Sequence, residues 1–182
     1  MKLNLRTENK IRSRGKPQER DLAKIMRKMK EHNSITSVKI KLKKLRENAG
    51  MPYYGTDFSA GADLCAAVDE AVAIGPGETV AVGTGIALEI PTGLVGLVFG
   101  RSGLASKRDL APANKVGVID SDYRGEITVM IHNHGKERRE IIPGERIAQI
   151  VFVPYIKGVF EETDSLCETK RGEGGFGSTG RK

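Results

Sequence analysis

Asp120-Ser121-Asp122-Tyr123 places two carboxylates and an aromatic ring within four residues, and Arg124-Gly125-Glu126 follow. Val116, Val118 and Ile119 lead in, while Ile127, Val129 and Ile131 lead out at spacing two, so alternation and turn chemistry predict strand, turn, strand. The expected tight β-hairpin is a stiff mount on which a carboxylate can be aimed. A second group, Gly100-Arg101-Ser102-Gly103, brings together a guanidinium, a hydroxyl and glycine-exposed amides. No Gly-Lys-Ser/Thr closes it, so it is not a Walker A loop and ATPase-type chemistry loses support. Alone, it reads more simply as a surface turn with an incidental arginine.

Near the C-terminus, Arg171, Ser178 and Thr179 are phosphate donors, glycine amides between them can close around an anion, and Phe176 offers a flat face to a base. Five glycines in residues 172–180 suit either a solvated flexible terminus or a lid that orders over a nucleotide and excludes water. Asp63, in Ala60-Gly61-Ala62-Asp63-Leu64, edges an apolar stretch, where an aspartate beside glycine is more often a turn former than a metal neighbour. Gln149 stands inside an apolar strand-like run and its amide needs a partner, usually in the core and less usually a ligand phosphate. His32, His132 and His134 join no cysteine or carboxylate at transition-metal spacing, and no Ser/His/Asp order is recognisable.

The elements that must position these groups are mostly strands. Val38, Ile40 and Leu42 alternate with lysines, and short apolar stretches follow at 71–74, 79–90, 94–99, 116–119, 126–131, 138–142 and 146–153. Gly75-Pro76-Gly77, Pro91-Thr92-Gly93 and Pro143-Gly144 punctuate them, which predicts an all-β sandwich or barrel without intervening helices. Of the 22 glycines, 21 lie at or after Gly50, as a chain of many tight turns requires. At 182 residues the chain suits one domain and an appendage. That appendage is residues 1–36, with a helix at about 18–32 whose Leu22, Ile25, Met26 and Met29 fall on one stripe. The β domain then spans 37–170 and the Gly-rich lid 171–182.

Residues 1–46 carry sixteen Lys or Arg against four Asp or Glu, so the other 136 residues net −5 within an overall +7. A basic arm on a mildly acidic body is expected, and the arm either packs its apolar stripe on the body or makes weak nucleic-acid contact, the first being commoner. Apolar runs stop well short of the roughly 18 residues of a membrane span, and no secretory stretch opens the chain. A soluble, cytoplasmic protein without membrane contact is expected, nuclear or organellar if its source is eukaryotic. Cys65 and Cys167 form no disulfide framework.

Ala-Gly-Ala-Asp-Leu, Arg-Ser-Gly-Leu-Ala, Gly-Val-Ile-Asp-Ser-Asp-Tyr-Arg-Gly-Glu, Gly-Glu-Arg-Ile-Ala-Gln and Arg-Gly-Glu-Gly-Gly-Phe-Gly-Ser-Thr-Gly occur in that order. Residues 37–182 thereby closely resemble the trimeric deoxyuridine triphosphatase (dUTPase) family; residues 1–36 lie outside the resemblance. Gly100 departs from the proline that many members carry before Arg-Ser-Gly. The resemblance implies a jelly-roll-like β fold assembled as a homotrimer, with three sites at subunit interfaces. It also implies hydrolysis of dUTP to dUMP and pyrophosphate with Mg²⁺ on the triphosphate, limiting uracil in DNA and supplying dUMP for dTMP synthesis. By position, Asp120 matches the water-activating carboxylate and Tyr123 the ring under the deoxyribose. Asn114, with the hairpin backbone at Gly117, Val118, Ile119 and Thr128, matches the uracil reader. Arg101, Ser102, Gly103 and Gln149 match phosphate contacts, and Asp63 a carboxylate reaching the metal through water. Arg171, Phe176, Gly177, Ser178 and Thr179 match the lid.

Two rival readings lose support. A related deoxycytidine triphosphate deaminase carries a glutamate on the matching strand, whereas Thr128-Val129-Met130-Ile131 has a methionine that cannot shuttle protons. A regulatory or nucleic-acid-binding protein that keeps the fold as a scaffold would tolerate loss of motif residues, and none is lost.

Overall fold

The structure, a computed structural model, describes residues 37–175. The helix expected at about 18–32 and the lid residues Phe176, Gly177, Ser178 and Thr179 lie outside that range. Within it the strands are β1 (Lys41–Lys44), β2 (Tyr53–Tyr54), β3 (Ala62–Cys65), β4 (Val72–Ile74), β5 (Thr79–Gly83), β6 (Ile86–Glu89) and β7 (Leu94–Phe99), of which β2 and β3 are not among the apolar stretches read from the sequence and the stretch 79–90 divides into β5 and β6. After a helix α1 (Ser102–Arg108) come β8 (Leu110–Pro112), β9 (Val116–Ile119), β10 (Thr128–Asn133), β11 (Arg139–Ile141) and β12 (Arg146–Pro154).

Four antiparallel sheets result: β2-β3-β12-β7-β9, β5-β10-β8, β1-β6 and β4-β11. Period-2 patterning decides which side chains turn inward, as in β7, where Leu94 and Val98 are buried and Val95 and Phe99 only partly so. Val82, Leu88, Ile74, Ile150, Ile131 and Leu110, drawn from all four sheets, meet in one core. Each such side chain contributes about 1.5–3 kcal/mol on burial, which compensates for strands of only two to nine residues.

Two expectations are corrected. Val116–Ile119 and Thr128–Asn133 are strands, yet they do not form a hairpin: β9 pairs with β7, with Gly96 opposite Ile119, while β10 lies between β5 and β8. The segment 120–127 is therefore a corner between two sheets. Alternation specifies a strand and its buried face but not its partner. Second, the all-β fold otherwise stands as expected but gains one short helix, α1. Its seven residues bury Leu104 alone, so no helical apolar period exists to be read. Its C-cap, Asp109, adopts a left-handed backbone at φ 56°, and its N–H bonds back to Ala105 and Leu104, ending the helix.

Candidate active site

Cross-strand register assembles the first cluster. On β12, Gln149 stands opposite Asp63 of β3 on one side and Phe99 of β7 on the other, so residues 86 positions apart in the chain meet on one sheet. Gly61 permits it, since a Cβ there would come within 2.5 Å of the Gln149 Oε1. Gln149 Nε2 donates to the Gly100 carbonyl at 2.9 Å, tying the strand to the loop that opens α1. Of the two partners foreseen for this amide, the internal one is present.

A cleft of about 480 Å³ opens over this sheet, and Asp63, Arg101, Ser102, Gly103, Arg146 and Gln149 are among the residues lining it. Asp63 accepts from Arg101 Nε at 2.7 Å and from Arg146 Nη1 at 3.1 Å. One carboxylate thus holds two guanidiniums, leaving the cluster with a net positive charge suited to phosphate oxygens. The bond to Asp63 is the main reason that Arg146 is held above the usual arginine range. Beside it, burial and then the Asp63 charge push the Cys65 thiol up, against the opposing pull of Arg146 and Arg101. Ser102 and Gly103 are exposed at the first turn of α1, where N–H groups have no intrahelical acceptor. Arg146 was not singled out from the sequence. The available signal was its place in Gly144-Glu145-Arg146-Ile147-Ala148-Gln149, one strand away from Asp63.

The remaining groups do not line that cleft; Asn114 to Thr128 lie on the turn into β9, along β9, in the corner after it and at the start of β10, and Arg171 lies apart on the C-terminal segment. Asn114 precedes Lys115, whose left-handed φ of 64° turns the chain into β9. A Cβ on Gly117 would lie 3.6 Å from Asn114 Nδ2, so the amide of Asn114 sits over the Gly117 backbone. β9 is an edge strand, with β7 on one side only, and Val118 is 62% exposed. Asp120 follows it, exposed at the sheet corner. Tyr123 N–H donates to the Asp120 carbonyl at 3.2 Å, and the Tyr123 hydroxyl donates to the Glu126 carbonyl at 3.0 Å. The ring packs directly over Gly125, where a Cβ would overlap it. Thr128 opens β10 and is exposed, as is Met130 beyond it. Arg171 is exposed on the C-terminal segment, its Nε bonded to the Gly174 carbonyl at 2.8 Å.

Among the described residues no three His, Cys, Asp or Glu side chains gather to hold a metal, and no helix is long and apolar enough to cross a membrane. A dUTPase family model matches residues 47–180. The deoxyuridine 5'-triphosphate nucleotidohydrolase of Desulfitobacterium hafniense (strain DSM 10664 / DCB-2) is 51% identical over 149 residues, covering 80% of this chain and 99% of its own. A solved structure of a mutant dUTPase from Staphylococcus bacteriophage 80alpha with dUpNHpp superposes with a TM-score of 0.69 at 31% identity, over 79% of this chain and 99% of its own. A mutant dUTPase from phage phi11 of S. aureus, described with a structural Mg(II) ion, has a TM-score of 0.65 at 27% identity, over 70% of this chain and 98% of its own. With the sequence motifs distributed over two clusters of one β fold, and a family match running through both of them, the chain belongs to the dUTPase family.

Proposed function

We propose that the protein is a dUTP diphosphatase that hydrolyses dUTP to dUMP and pyrophosphate. The observation that carries this reading is the cationic cleft, in which Asp63 draws Arg101 and Arg146 together beside Gln149, in a chain of the dUTPase family. Arg101 offers its guanidinium, and Ser102 and Gly103 their first-turn donors, to triphosphate oxygens. The edge strand β9 supports base reading. One row of its N–H and C=O groups has no strand partner, so Gly117, Val118 and Ile119 can meet uracil much as adenine would, with Asn114 beside them and Thr128 across the corner. Cytosine would leave those groups with the wrong donor pattern, a mismatch worth on the order of 10⁴ in selectivity. Tyr123, its ring held against Gly125, packs under the deoxyribose and excludes a 2′-hydroxyl.

Asp120 orients the water that attacks the α-phosphorus and draws its proton. Position matters more here than basicity, and the Tyr123 N–H bond to the Asp120 carbonyl supplies it. The donor set fits Mg²⁺ in one specific manner. Asp63 is the one carboxylate lining the cleft, and both of its oxygens accept from guanidiniums. This suits an ion held chiefly by phosphate oxygens and water, the usual habit of Mg²⁺, with Asp63 reaching it through water. When bound, Mg²⁺ offsets negative charge on the triphosphate. Arg171, Phe176, Gly177, Ser178 and Thr179 act as a lid over uracil and the γ-phosphate.

The same geometry supports a homotrimer. The phosphate cleft and the Asp120 corner are separate surfaces of one chain, so a complete site needs residues from more than one copy. Beyond β12, Ile156, Val159 and Phe160 are at least 95% exposed, apolar groups that a neighbouring copy would cover. The basic arm adds at most weak nucleic-acid contact, readable as a salt-dependent shift on mixed DNA. The deciding experiment is incubation with a panel of deoxynucleoside triphosphates and Mg²⁺, with products resolved by chromatography. The expected products are dUMP and pyrophosphate from dUTP alone; orthophosphate release, or equal turnover of dCTP or dTTP, would refute the reading.

A further inference from the structure

We propose that Arg46, just outside the span matched by the dUTPase family model, is a positioning residue for the catalytic corner and acts through Glu126. This rests on the reading that Asp120 and Tyr123 face dUTP. Arg46 follows β1 and reaches across the fold in two directions. Its Nη1 donates to the Ala67 carbonyl at 2.9 Å and its Nη2 to Glu126 Oε2 at 2.7 Å. The other oxygen of Glu126, Oε1, accepts the Gly85 N–H at 2.8 Å, so the carboxylate is held from both sides.

The bay that receives it is built into the backbone. A Cβ on Gly83 would overlap Glu126 Oε1 and lie 3.2 Å from Arg46 Nη2, so only glycine leaves room for this pair. The next residue is stitched to the same place: Ile127 N–H donates to the Ile86 carbonyl at 2.9 Å, and Thr84 Oγ1 donates to the Ile127 carbonyl at 2.6 Å. Residues 126–127 are thus the fixed exit of the corner, and β9 is its fixed entrance. Between them the Tyr123 hydroxyl is the tether that ends on the carbonyl of Glu126 itself.

Removing the Arg46 cation leaves a carboxylate of 21% exposed side chain with the Gly85 N–H as its remaining hydrogen bond. That group gains by turning toward water. The exit of the corner then keeps only its Ile127 anchors, so the Glu126 carbonyl under the Tyr123 hydroxyl is held less firmly and the Tyr123–Asp120 turn loosens with it. Arg46 touches neither the nucleotide nor the water; its effect on turnover travels through Glu126.

The test uses the full chain and the variants Arg46→Met, Arg46→Lys, Glu126→Gln and the double variant Arg46→Met/Glu126→Gln. In Arg46→Met without nucleotide, amides of 120–127 should exchange about tenfold faster, as loss of one charge-assisted hydrogen bond allows, with β12 unchanged. Turnover of dUTP should fall between about tenfold and 10²-fold, the scale of a small misplacement of a reacting group. The ratio of kcat/KM for dUTP over UTP should fall with it, because the Tyr123 ring no longer seats firmly. Arg46→Lys should recover most of both losses, and the double variant should be no worse than the more damaged single. Unchanged exchange over 120–127 in Arg46→Met would overturn the proposal. So would exchange that rises equally throughout the chain with an unaltered dUTP/UTP ratio, the signature of general loosening. Failure of the wild-type chain on dUTP would strike the functional reading alone, because the exchange measurement decides the Arg46 coupling without substrate.

Discussion

Asp120 is exposed at a sheet corner, with its backbone carbonyl bonded to the Tyr123 N–H, so its carboxylate is aimed by the turn and not by burial. Asp120→Asn keeps the shape and removes the carboxylate proposed as the base. Turnover should drop by about 10² to 10⁴ while nucleotide binding persists, checked by pre-steady-state rates beside equilibrium titration with dUTP. A rate within a few-fold of the unaltered protein would transfer the role, with Asp122 the next carboxylate to test. The two thiols should separate in the same way. Burial and the neighbouring Asp63 charge keep Cys65 protonated beyond the ordinary thiol range, whereas Cys167 is exposed. Because the thiolate is the nucleophile, iodoacetamide near pH 8 should label Cys167 well before Cys65, read by peptide mass mapping. The Cys65 rate should continue to climb with pH after that of an ordinary thiol has levelled off.

At the scale of elements, the link between β5 and β6 carries more than a turn usually does. Gly85 has a φ of +67°, and a Cβ there would meet the Cβ atoms of Ala49 and Ala67 at 2.8 Å. Its N–H holds Glu126 Oε1 and its carbonyl accepts the Leu45 N–H at 2.7 Å, so strain at this point spreads into β1 and the 120–127 corner together. Gly85→Ala combines a left-handed backbone with overpacking and should cost about 2–4 kcal/mol. Thermal unfolding at fixed protein concentration measures it; a melting curve unchanged from the unaltered protein would mean that the link relaxes freely. α1 is a second such element. Arg108 at its C-terminal end bonds to Glu145 and to the Glu140 carbonyl, which holds the short helix, and with it Ser102 and Gly103, against the base of β12.

At the scale of the whole molecule, the proposed function has the site completed only when copies meet. Light scattering should give three times 19.8 kDa, about 59 kDa. A fully active monomer would show that the two clusters meet within one chain after all. The C-terminal segment tests the same idea from another direction. Residues 171–174 are not buried among the sheets, and the Arg171 side chain bonds only locally, to Gly174. Truncation after Lys170 should therefore leave the melting temperature and the assembled mass of the β domain nearly unchanged while turnover falls steeply, because the phosphate and stacking groups of the proposed lid are gone. Full activity in the truncated protein would reduce that segment to a plain flexible terminus.

The motifs and most of the strands were legible in the sequence because both are local, while β2, β3 and β8 were not among the stretches read from alternation. Leu94–Phe99 and Val116–Ile119 coincide with the apolar stretches read from alternation, and the groups able to bind phosphate or base are a matter of residue type. The helix α1 was not legible, since one buried leucine in seven residues produces no period. Nor was the partner of β9. A half-buried strand displays the same alternation whichever neighbour it joins, and the choice of β7 over β10 depends on ladders formed by residues far away in the chain. For the same reason the residues alone read Asp63 as a turn former, and only the family resemblance as a metal neighbour, and left Gln149 a core or a phosphate partner, whereas only the folded sheet brings Arg101 and Arg146 onto one carboxylate and Gln149 onto the Gly100 carbonyl. Residue chemistry is written one position at a time; the geometry that makes a cationic cleft from it arises when β3, β12 and β7 pair.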